Sequence, residues 1–432
     1  MSKFQLIITV IILFLIVLAV LVLSGAIPGL PGQTSGPIAT LVLWGTFPQA
    51  KMLPVTEEIN SLNKTFSIKY IEKEKEAYEA ELVDAIASGR GPDIFFLTQD
   101  LLLKHRGKVL EIPFAAFSER TFKDTFIDAG EMFLSENGIM AMPLLADPIV
   151  LYWNRDLFNK AGLANPPKYW DEFLNFSQLL TKNDSLGNIV ESGAAMGEFS
   201  NINNAKDIFS MLILQSGNKI VTPKIFTLTF GERGNLTVEP AASALAFFAS
   251  FSNPSKVSYS WNMALPNSSI MFSSGKLAMY FGFSGELKNI QQRNPHLNFD
   301  ASFVPQMKDS SFQATFAVLH GLAVSKISSN GGEAVKAAFA FLNEDSWRHL
   351  QENLFLPSAS RKILSGGSSD PFLSVFLKSA LQARAWLEPD SAAGGRIFKD
   401  MIEAVSTGRK NISNAVSDAK QLLEAEMKKI KN

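Results

Sequence analysis

Residues 39 to 97 alternate between apolar runs of strand length and helical segments with one apolar face, and this alternation limits what the chain can fold into. The run from Asp93 to Leu97 is apolar on both faces after its first residue, as a central strand of a parallel sheet must be. Strands separated by helices in this way form an α/β layer with right-handed crossovers. The predicted elements are a strand at Ala39 to Trp44, a helix to about Lys64, a strand at Phe66 to Glu72, a helix ending at Gly89 and a strand at Asp93 to Leu97.

The ends of these strands supply the first candidate site residues. In open α/β sheets, ligands bind beyond the carboxyl ends of the strands. Trp44 and Gln49 lie at and after the end of the first strand, and Gln99 and Asp100 follow the third. We therefore expect these four side chains to lie near a ligand.

A second candidate region lies in the middle of the chain. Pro143 and Pro148 are expected to interrupt regular structure around Leu144 to Asp147, because proline cannot donate a hydrogen bond to a neighbouring strand. Such a break suits a hinge between two lobes. Asp147 is therefore a further candidate for ligand binding.

Composition excludes several classes of function. The 40 basic and 41 acidic side chains give a formal net charge of -1 without a basic cluster, so nucleic acid is not an expected partner. The chain has no Cys, and its four His residues are scattered without metal-ligand spacing, so neither a metal nor a cofactor is expected. No nucleotide-binding or hydrolase signature is present, and no catalytic residue is assigned.

The first 37 residues predict attachment to a membrane. Between Leu6 and Leu23 the only polar residue is Thr9, which gives roughly 20 residues and about 30 Å of helix, enough to cross a bilayer. Lys3 precedes this segment, which places the N-terminus in the cytoplasm and the remainder outside it. We interpret residues 1–24 as a single-pass anchor of the cell membrane or, alternatively, a cleaved signal, and residues 25–37 as a Gly/Pro tether.

Several motifs, in order along the chain, resemble those of the extracellular solute-binding proteins of ABC importers, the group that includes maltose-binding protein. The most specific match covers residues 138–180, where PLLADPIVLYWNRDLFNKAGL resembles a family pattern that includes L-x-Y-N-x-D-L-F-x-x-A-G-L. One departure is Tyr169, where the family usually has a Thr that caps the next helix, so that cap must come from another residue. Other matching segments are ASGRGPDI at 87–94, MFSSGKLAMY at 271–280, LPS at 356–358 and the closing helices within 401–427.

This resemblance implies an α/β fold of two lobes joined by hinge crossings. The expected lobes are residues 38–146 with 315–356 and residues 147–314 with 357–432. It also implies that Trp44, Asp100 and Asp147 face the cleft. The strand after Met279 lacks the Trp that stacks on sugar rings in maltose-binding protein, and either Phe283 or Tyr280 could replace it. Trp261 and Trp386 are further aromatic candidates for ligand contact.

The function implied by the resemblance is capture of a small organic ligand, most readily a sugar or oligosaccharide, and its delivery to ABC permease subunits. Two alternatives remain open from sequence. The same fold could serve as a sensor or adhesion module that is not coupled to transport. An anchored glycosidase is the other, although no positioned pair of catalytic carboxylates is evident.

Overall fold

The computed structural model describes residues 39–234, 238–308, 310 and 312–431, and these residues contain a ten-stranded mixed sheet with helices on both faces. The strands of this sheet are ordered β2-β1-β3-β13-β6-β11-β8-β7, with β12 also paired to β6 and β14 to β13. Strands β4 and β5 form one small antiparallel pair, and β9 and β10 form another. The strands are β1 (Ala39–Gly45), β2 (Phe66–Glu72), β3 (Ile94–Thr98), β4 (Ile112–Pro113), β5 (Gly138–Ile139), β6 (Met142–Asn154), β7 (Lys182–Asn183), β8 (Ile189–Ala194), β9 (Val221–Thr222), β10 (Thr227–Leu228), β11 (Leu277–Phe283), β12 (Phe299–Ser302), β13 (Thr315–Val324) and β14 (Ala383–Arg384).

The helices cover the sheet with their apolar faces. The helices of the first part are α1 (Gln49–Leu62), α2 (Tyr78–Ala87), α3 (Gln99–His105), α4 (Glu119–Thr125), α5 (Arg155–Lys160), α6 (Trp170–Leu180), α7 (Ala205–Gln215) and α8 (Pro240–Ser250). Those that follow are α9 (Ser268–Ser273), α10 (Leu287–Arg293), α11 (Gly331–Ala340), α12 (Glu344–Leu354), α13 (Arg361–Ser365), α14 (Pro371–Leu381), α15 (Ser391–Ser406) and α16 (Ile412–Lys431). Short 3₁₀ turns lie at Arg106–Lys108, Asp128–Phe133 and Ser284–Glu286.

The alternation predicted from residues 39 to 97 is confirmed. Strands β1, β2 and β3 pair in parallel, and α1 and α2 connect them. Leu41 and Leu43 of β1 are fully buried, and the run from Ile94 to Leu97 in β3 is buried on both faces. Burial on both faces explains why β3 consists of consecutive apolar residues instead of an alternating pattern.

Strand β6 joins the two halves of the sheet. Its first part pairs with β13, and its second part, from Ile149, pairs with β11 and β12. The predicted interruption between Pro143 and Pro148 is wrong, because β6 runs unbroken through both prolines. Pro143 faces Gly321, next to the register shift between His320 and Gly321. A bulge of this kind tolerates a residue without an N–H group.

Helix α6 is capped by a residue within its first turn. The Glu172 carboxylate accepts hydrogen bonds from the backbone N–H groups of Lys168 (2.7 Å) and Tyr169 (3.3 Å). The prediction that the cap comes from a residue other than Tyr169 is therefore confirmed. The same arrangement places a negative charge at the N-terminus of the helix dipole.

Replacing Glu172 tests this cap. We expect Glu172→Ala to lower the free energy of unfolding by about 1 kcal/mol, because two backbone donors lose their acceptor. Glu172→Gln should retain most of the stability, since its amide oxygen can accept the same bonds. Denaturant titration measures both variants, and equal losses for the two would contradict a capping role.

None of the helices that the structure describes is both long enough and apolar enough to cross a membrane. The segments predicted as an anchor (residues 1–24) and a tether (residues 25–37) lie outside the described residues, so both assignments stay predictions.

Candidate ligand-binding cavity

A cavity of about 770 Å³ lies between the two halves of the sheet. One wall comes from the end of β3 and the start of α3, with Gln99 and Asp100. The opposite wall comes from the start of α7 and from the turn after β11. The apolar part of the lining includes Phe96, Phe283 and Phe316.

Gln99 brings a buried polar group to this cavity. Its side chain is fully buried, and its Oε1 accepts a hydrogen bond from the backbone N–H of Leu319 (2.7 Å). Its Nε2 has no hydrogen-bond partner among the described residues. A buried donor without an acceptor is costly, so a ligand oxygen placed here would gain a full hydrogen bond.

Asp147 is held in place by the turn after β11. Its Oδ1 accepts hydrogen bonds from Ser284 Oγ (2.6 Å) and from the backbone N–H of Gly285 (2.9 Å). A Cβ atom at Gly285 would lie 2.9 Å from Asp147 Oδ2, so glycine permits this close approach. Burial raises the pKa of Asp147 to about 6, although these two hydrogen bonds act in the opposite direction.

Glu286 links the turn after β11 to the start of α7. Its Oε1 accepts hydrogen bonds from Asn204 Nδ2 (2.7 Å) and from the backbone N–H of Phe283 (2.9 Å), and its Oε2 accepts one from the Tyr280 hydroxyl (2.5 Å). With three donors bound, Glu286 positions the Phe283 backbone and the N-terminus of α7.

A buried ion pair lies deeper in the cavity. Lys206 Nζ is 2.6 Å from Glu388 Oε1, and the Glu388 side chain is 1% exposed. Glu388 Oε2 has no hydrogen-bond partner among the described residues. Burial raises the pKa of Glu388 to about 8, with Lys206 opposing and Asp100 and Asp207 reinforcing the increase. Burial also raises the pKa of Asp207 to about 6.

His320 contributes hydrogen-bonding capacity without charge. It lines the cavity beside Phe47, with the ring centroids 5.0 Å apart. Burial and the nearby Lys75 lower the pKa of His320 to about 4, while Asp100 opposes this decrease. The imidazole is therefore neutral at pH 7, where one ring nitrogen can donate and the other can accept.

Comparison with protein families places this chain in a known group. The family model for bacterial extracellular solute-binding proteins matches residues 44–347, which is more than half of the chain. The chain belongs to the bacterial extracellular solute-binding protein family. A binding protein of Brucella abortus (strain 2308) is 24% identical over 313 residues, which cover 67% of this chain and 72% of that protein.

Solved structures support the fold of this solute-binding protein. A cyclo/maltodextrin-binding protein complexed with maltotetraose has a TM-score of 0.73 at 15% identity, covering 91% of this chain and 98% of that one. The cyclic α-maltosyl-1,6-maltose binding protein of Arthrobacter globiformis has a TM-score of 0.74 at 18% identity, covering 91% and 100%. These similarities establish the two-lobed α/β periplasmic-binding fold implied by the sequence motifs.

Four of the eight residues predicted from sequence line the cavity of this solute-binding protein. They are Gln99, Asp100, Asp147 and Phe283. Gln99 and Asp100 are there because β3 ends at the cavity, and Phe283 because β11 does. Their contact with a ligand stays a prediction.

Two predicted residues near the end of β1 lie outside the cavity. Trp44 packs half-buried beside α2, with Lys73 Nζ 3.9 Å from its ring centroid. Gln49 is exposed at the start of α1, and its backbone N–H donates to Glu72 (2.6 Å). The cavity wall near this strand end is formed instead by Thr46. We therefore no longer treat Trp44 and Gln49 as candidates for this cavity.

Trp261 and Trp386 are not part of the cavity lining, and both are fully buried in the core. The Trp261 Nε1–H donates to Asn201 Oδ1 (3.0 Å). The Trp386 Nε1–H donates to Ser210 Oγ (3.2 Å), and its ring stacks on Phe398 at 5.8 Å. Both indole N–H groups are hydrogen-bonded within the protein, and ligand contact by either tryptophan stays a prediction.

Sequence reasoning missed several polar residues of the cavity because none of them belongs to a recognisable motif. The local signal is weak even for Glu388, which precedes Pro389 and lies two residues after Trp386. Lys206 and Asp207 lie in the first turn of α7, Glu286 ends the 3₁₀ turn after β11, and His320 lies within β13. The main missed residues are Lys206, Asp207, Glu286, His320 and Glu388.

Proposed function

We propose that this protein is the receptor of an ABC importer and that it captures a sugar or oligosaccharide in the cavity between its lobes. The observation that carries the proposal is the lining itself, in which the free Nε2 of Gln99 and several carboxylates share a cavity with three phenylalanine rings. Sugar hydroxyls satisfy such polar groups, and the apolar face of a sugar ring packs on aromatic carbon. The volume lies within the usual range of about 300–1,000 Å³ for small-molecule sites.

Closure of the two lobes would enclose the ligand in the cavity. We retain the division into residues 38–146 with 315–356 and residues 147–314 with 357–432. Five ion pairs among the described residues then cross between the lobes: Lys104 to Asp390 (2.8 Å), Lys224 to Glu119 (2.6 Å), Lys362 to Glu344 (2.5 Å), and both Arg361 and Arg384 to Asp128. Binding energy would shift an equilibrium between open and closed forms, so no catalytic step and no cofactor are assigned.

The family to which the chain belongs acts outside the cytoplasm, and the closed receptor would dock on permease subunits. A membrane anchor at residues 1–24 would keep it close to that transporter and raise its effective concentration there. Family membership favours this role over the sensor or adhesion module considered from sequence.

Asp147→Asn tests the cavity as the sugar site. The substitution keeps an oxygen for Ser284 and Gly285 but replaces the second carboxylate oxygen with an amide donor. We expect affinity for the preferred saccharide to fall by about tenfold, because a charged hydrogen-bond acceptor is lost. Isothermal titration of the full chain, after a thermal-shift screen that includes maltotetraose and mannobiose, measures this change.

Gln49→Ala is the matched control, because Gln49 is a polar residue at a strand end that lies outside the cavity. Its affinity should equal that of the wild type. A saccharide that binds both variants as tightly as the wild type would place the site elsewhere. The absence of binding by any saccharide to the folded protein would contradict the proposed ligand class.

A further inference from the structure

The cavity has an excess of negative charge. Seven carboxylates line it, against three cationic side chains. Because His320 is neutral, it does not correct this imbalance. A cleft lined mainly by one sign of charge concentrates ligands of the opposite sign. The carboxylates are those of Glu76, Glu79, Asp100, Asp147, Asp207, Glu286 and Glu388, and the cations are Lys75, Lys206 and Arg293.

Several of these carboxylates already have partners within the protein. Glu79 contacts Lys104 (2.8 Å) and His105 (2.9 Å). Asp147 and Glu286 accept the hydrogen bonds described above, and Glu76 is exposed at the rim. The excess charge is therefore concentrated in the part of the cavity that contains Asp100, Asp207 and Glu388.

One cation faces these three carboxylates. Burial lowers the pKa of Lys206, while the negative charges of Glu388, Asp207 and Asp100 raise it, with a net increase. Lys206 Nζ donates a hydrogen bond to Glu388 Oε1, and Glu388 Oε2 has no hydrogen-bond partner among the described residues. A Cβ atom at Gly394 would lie 2.7 Å from Glu388 Oε2, so this oxygen packs against α15, and the half-buried Asp100 and Asp207 are the carboxylates that a ligand can reach.

Burial is the main cause of the raised pKa values of Asp207 and Glu388, and the charge of Asp100 adds to both increases while Lys206 opposes them. A metal ion is not the cation that would balance these carboxylates. Within the described residues, no group of three or more His, Asp or Glu side chains is arranged to hold a metal ion. A protonated amine, which needs hydrogen-bond acceptors instead of a closed coordination shell, does fit.

We propose that the ligand is a basic saccharide, an amino sugar or an oligosaccharide containing one, whose protonated amino group binds to Asp100 and Asp207. This inference rests on the proposed function and specifies its substrate class. The free Gln99 Nε2 would donate to a hydroxyl or ring oxygen of the same ligand. The Phe283 and Phe316 rings, 6.3 Å apart, would pack against its apolar face.

Matched sugars that differ only at the amino group test the proposal. Isothermal titration of the full chain would compare glucosamine, galactosamine and the β-1,4-linked glucosamine dimer with their N-acetylated and hydroxyl counterparts. At least one amino sugar should bind about tenfold more tightly than both of its neutral counterparts, because it alone pairs with the excess carboxylates. Spermidine serves as an amine without a sugar ring.

Isosteric variants locate the amino group. Asp207→Asn and Asp100→Asn should each reduce the preference for the amino sugar to about threefold or less while neutral counterparts keep their affinity. Asp171→Asn makes the same change in charge on the exposed surface of α6 and should leave the preference unchanged. Using two variants keeps the test decisive if one of them fails to fold.

The outcomes separate this inference from the proposed function. Equal or tighter binding of a neutral sugar would overturn the basic ligand and leave the sugar receptor intact. Binding of spermidine without binding of any saccharide would overturn both. A preference for amino sugars that persists in both Asp variants would also overturn the assignment, because the amine would then bind elsewhere.

Discussion

Trp386→Ala is expected to lower the free energy of unfolding by about 3–5 kcal/mol, the usual cost of truncating a buried tryptophan. The indole is fully buried, stacks on Phe398 at 5.8 Å and donates a hydrogen bond to Ser210 Oγ (3.2 Å). Its removal leaves a cavity and also frees a buried hydroxyl. Guanidinium denaturation followed by circular dichroism measures the loss.

Two further variants separate a core role from a ligand platform. Trp386→Phe should lose less stability than Trp386→Ala and should bind saccharide as the wild type does. Trp44→Ala removes a half-buried indole at the surface and should cost clearly less than Trp386→Ala. A stable Trp386→Ala variant that had lost only saccharide binding would show that the indole contacts the ligand after all.

Gln99, Asp100 and Trp44 show which part of the site can be predicted from sequence. Gln99 and Asp100 were identified because they follow a strand whose pattern is local and unambiguous, and the carboxyl ends of parallel strands meet at one edge. Trp44 also lies at such a strand end, yet its side chain packs beside α2. Sequence position located the strand end but did not determine the direction of each side chain.

The charged part of the cavity depends on contacts that no local pattern records. Lys206 and Glu388 are 182 residues apart in sequence and form an ion pair only after the chain has folded. Local rules also mispredicted β6, where the bulge beside Gly321 accommodates Pro143 within a continuous strand. In both cases the deciding partner comes from a distant segment, so the fold was predictable while much of the site was not.

Because Glu388 is buried, the stability of the unliganded protein depends on pH. Its pKa is about 8 in the folded state and about 4.3 in an unfolded chain, so between these values the folded state holds a proton that the unfolded state releases. The resulting stabilisation is fully present below about pH 4.3 and is lost as the pH rises through 8. The raised pKa values of Asp147 and Asp207, both about 6, change the stability in the same direction over a lower pH range.

His320 acts in the opposite direction and determines where the measurement should be made. Its pKa is about 4 in the folded state, so it destabilises the fold increasingly as the pH falls from about 6.5 towards 4. Above pH 6.5 this contribution has nearly vanished, and those of Asp147 and Asp207 are nearly complete. The interval from pH 6.5 to 8.5 therefore reports mainly on Glu388, with a smaller fall in stability from exposed His349, whose pKa is raised by its hydrogen bond to Glu58.

We expect the free energy of unfolding to fall by about 2 kcal/mol between pH 6.5 and 8.5 in the wild type, and most of this fall to disappear in Glu388→Gln. Glutamine keeps an oxygen for Lys206 but cannot titrate. Glu57→Gln, on the exposed side of α1, is the matched control and should keep the wild-type slope. Denaturant titrations at several pH values without ligand provide the measurement. If stability instead stayed constant across this interval in the wild type, Lys206 would hold Glu388 ionised in the folded state, which would contradict its raised pKa.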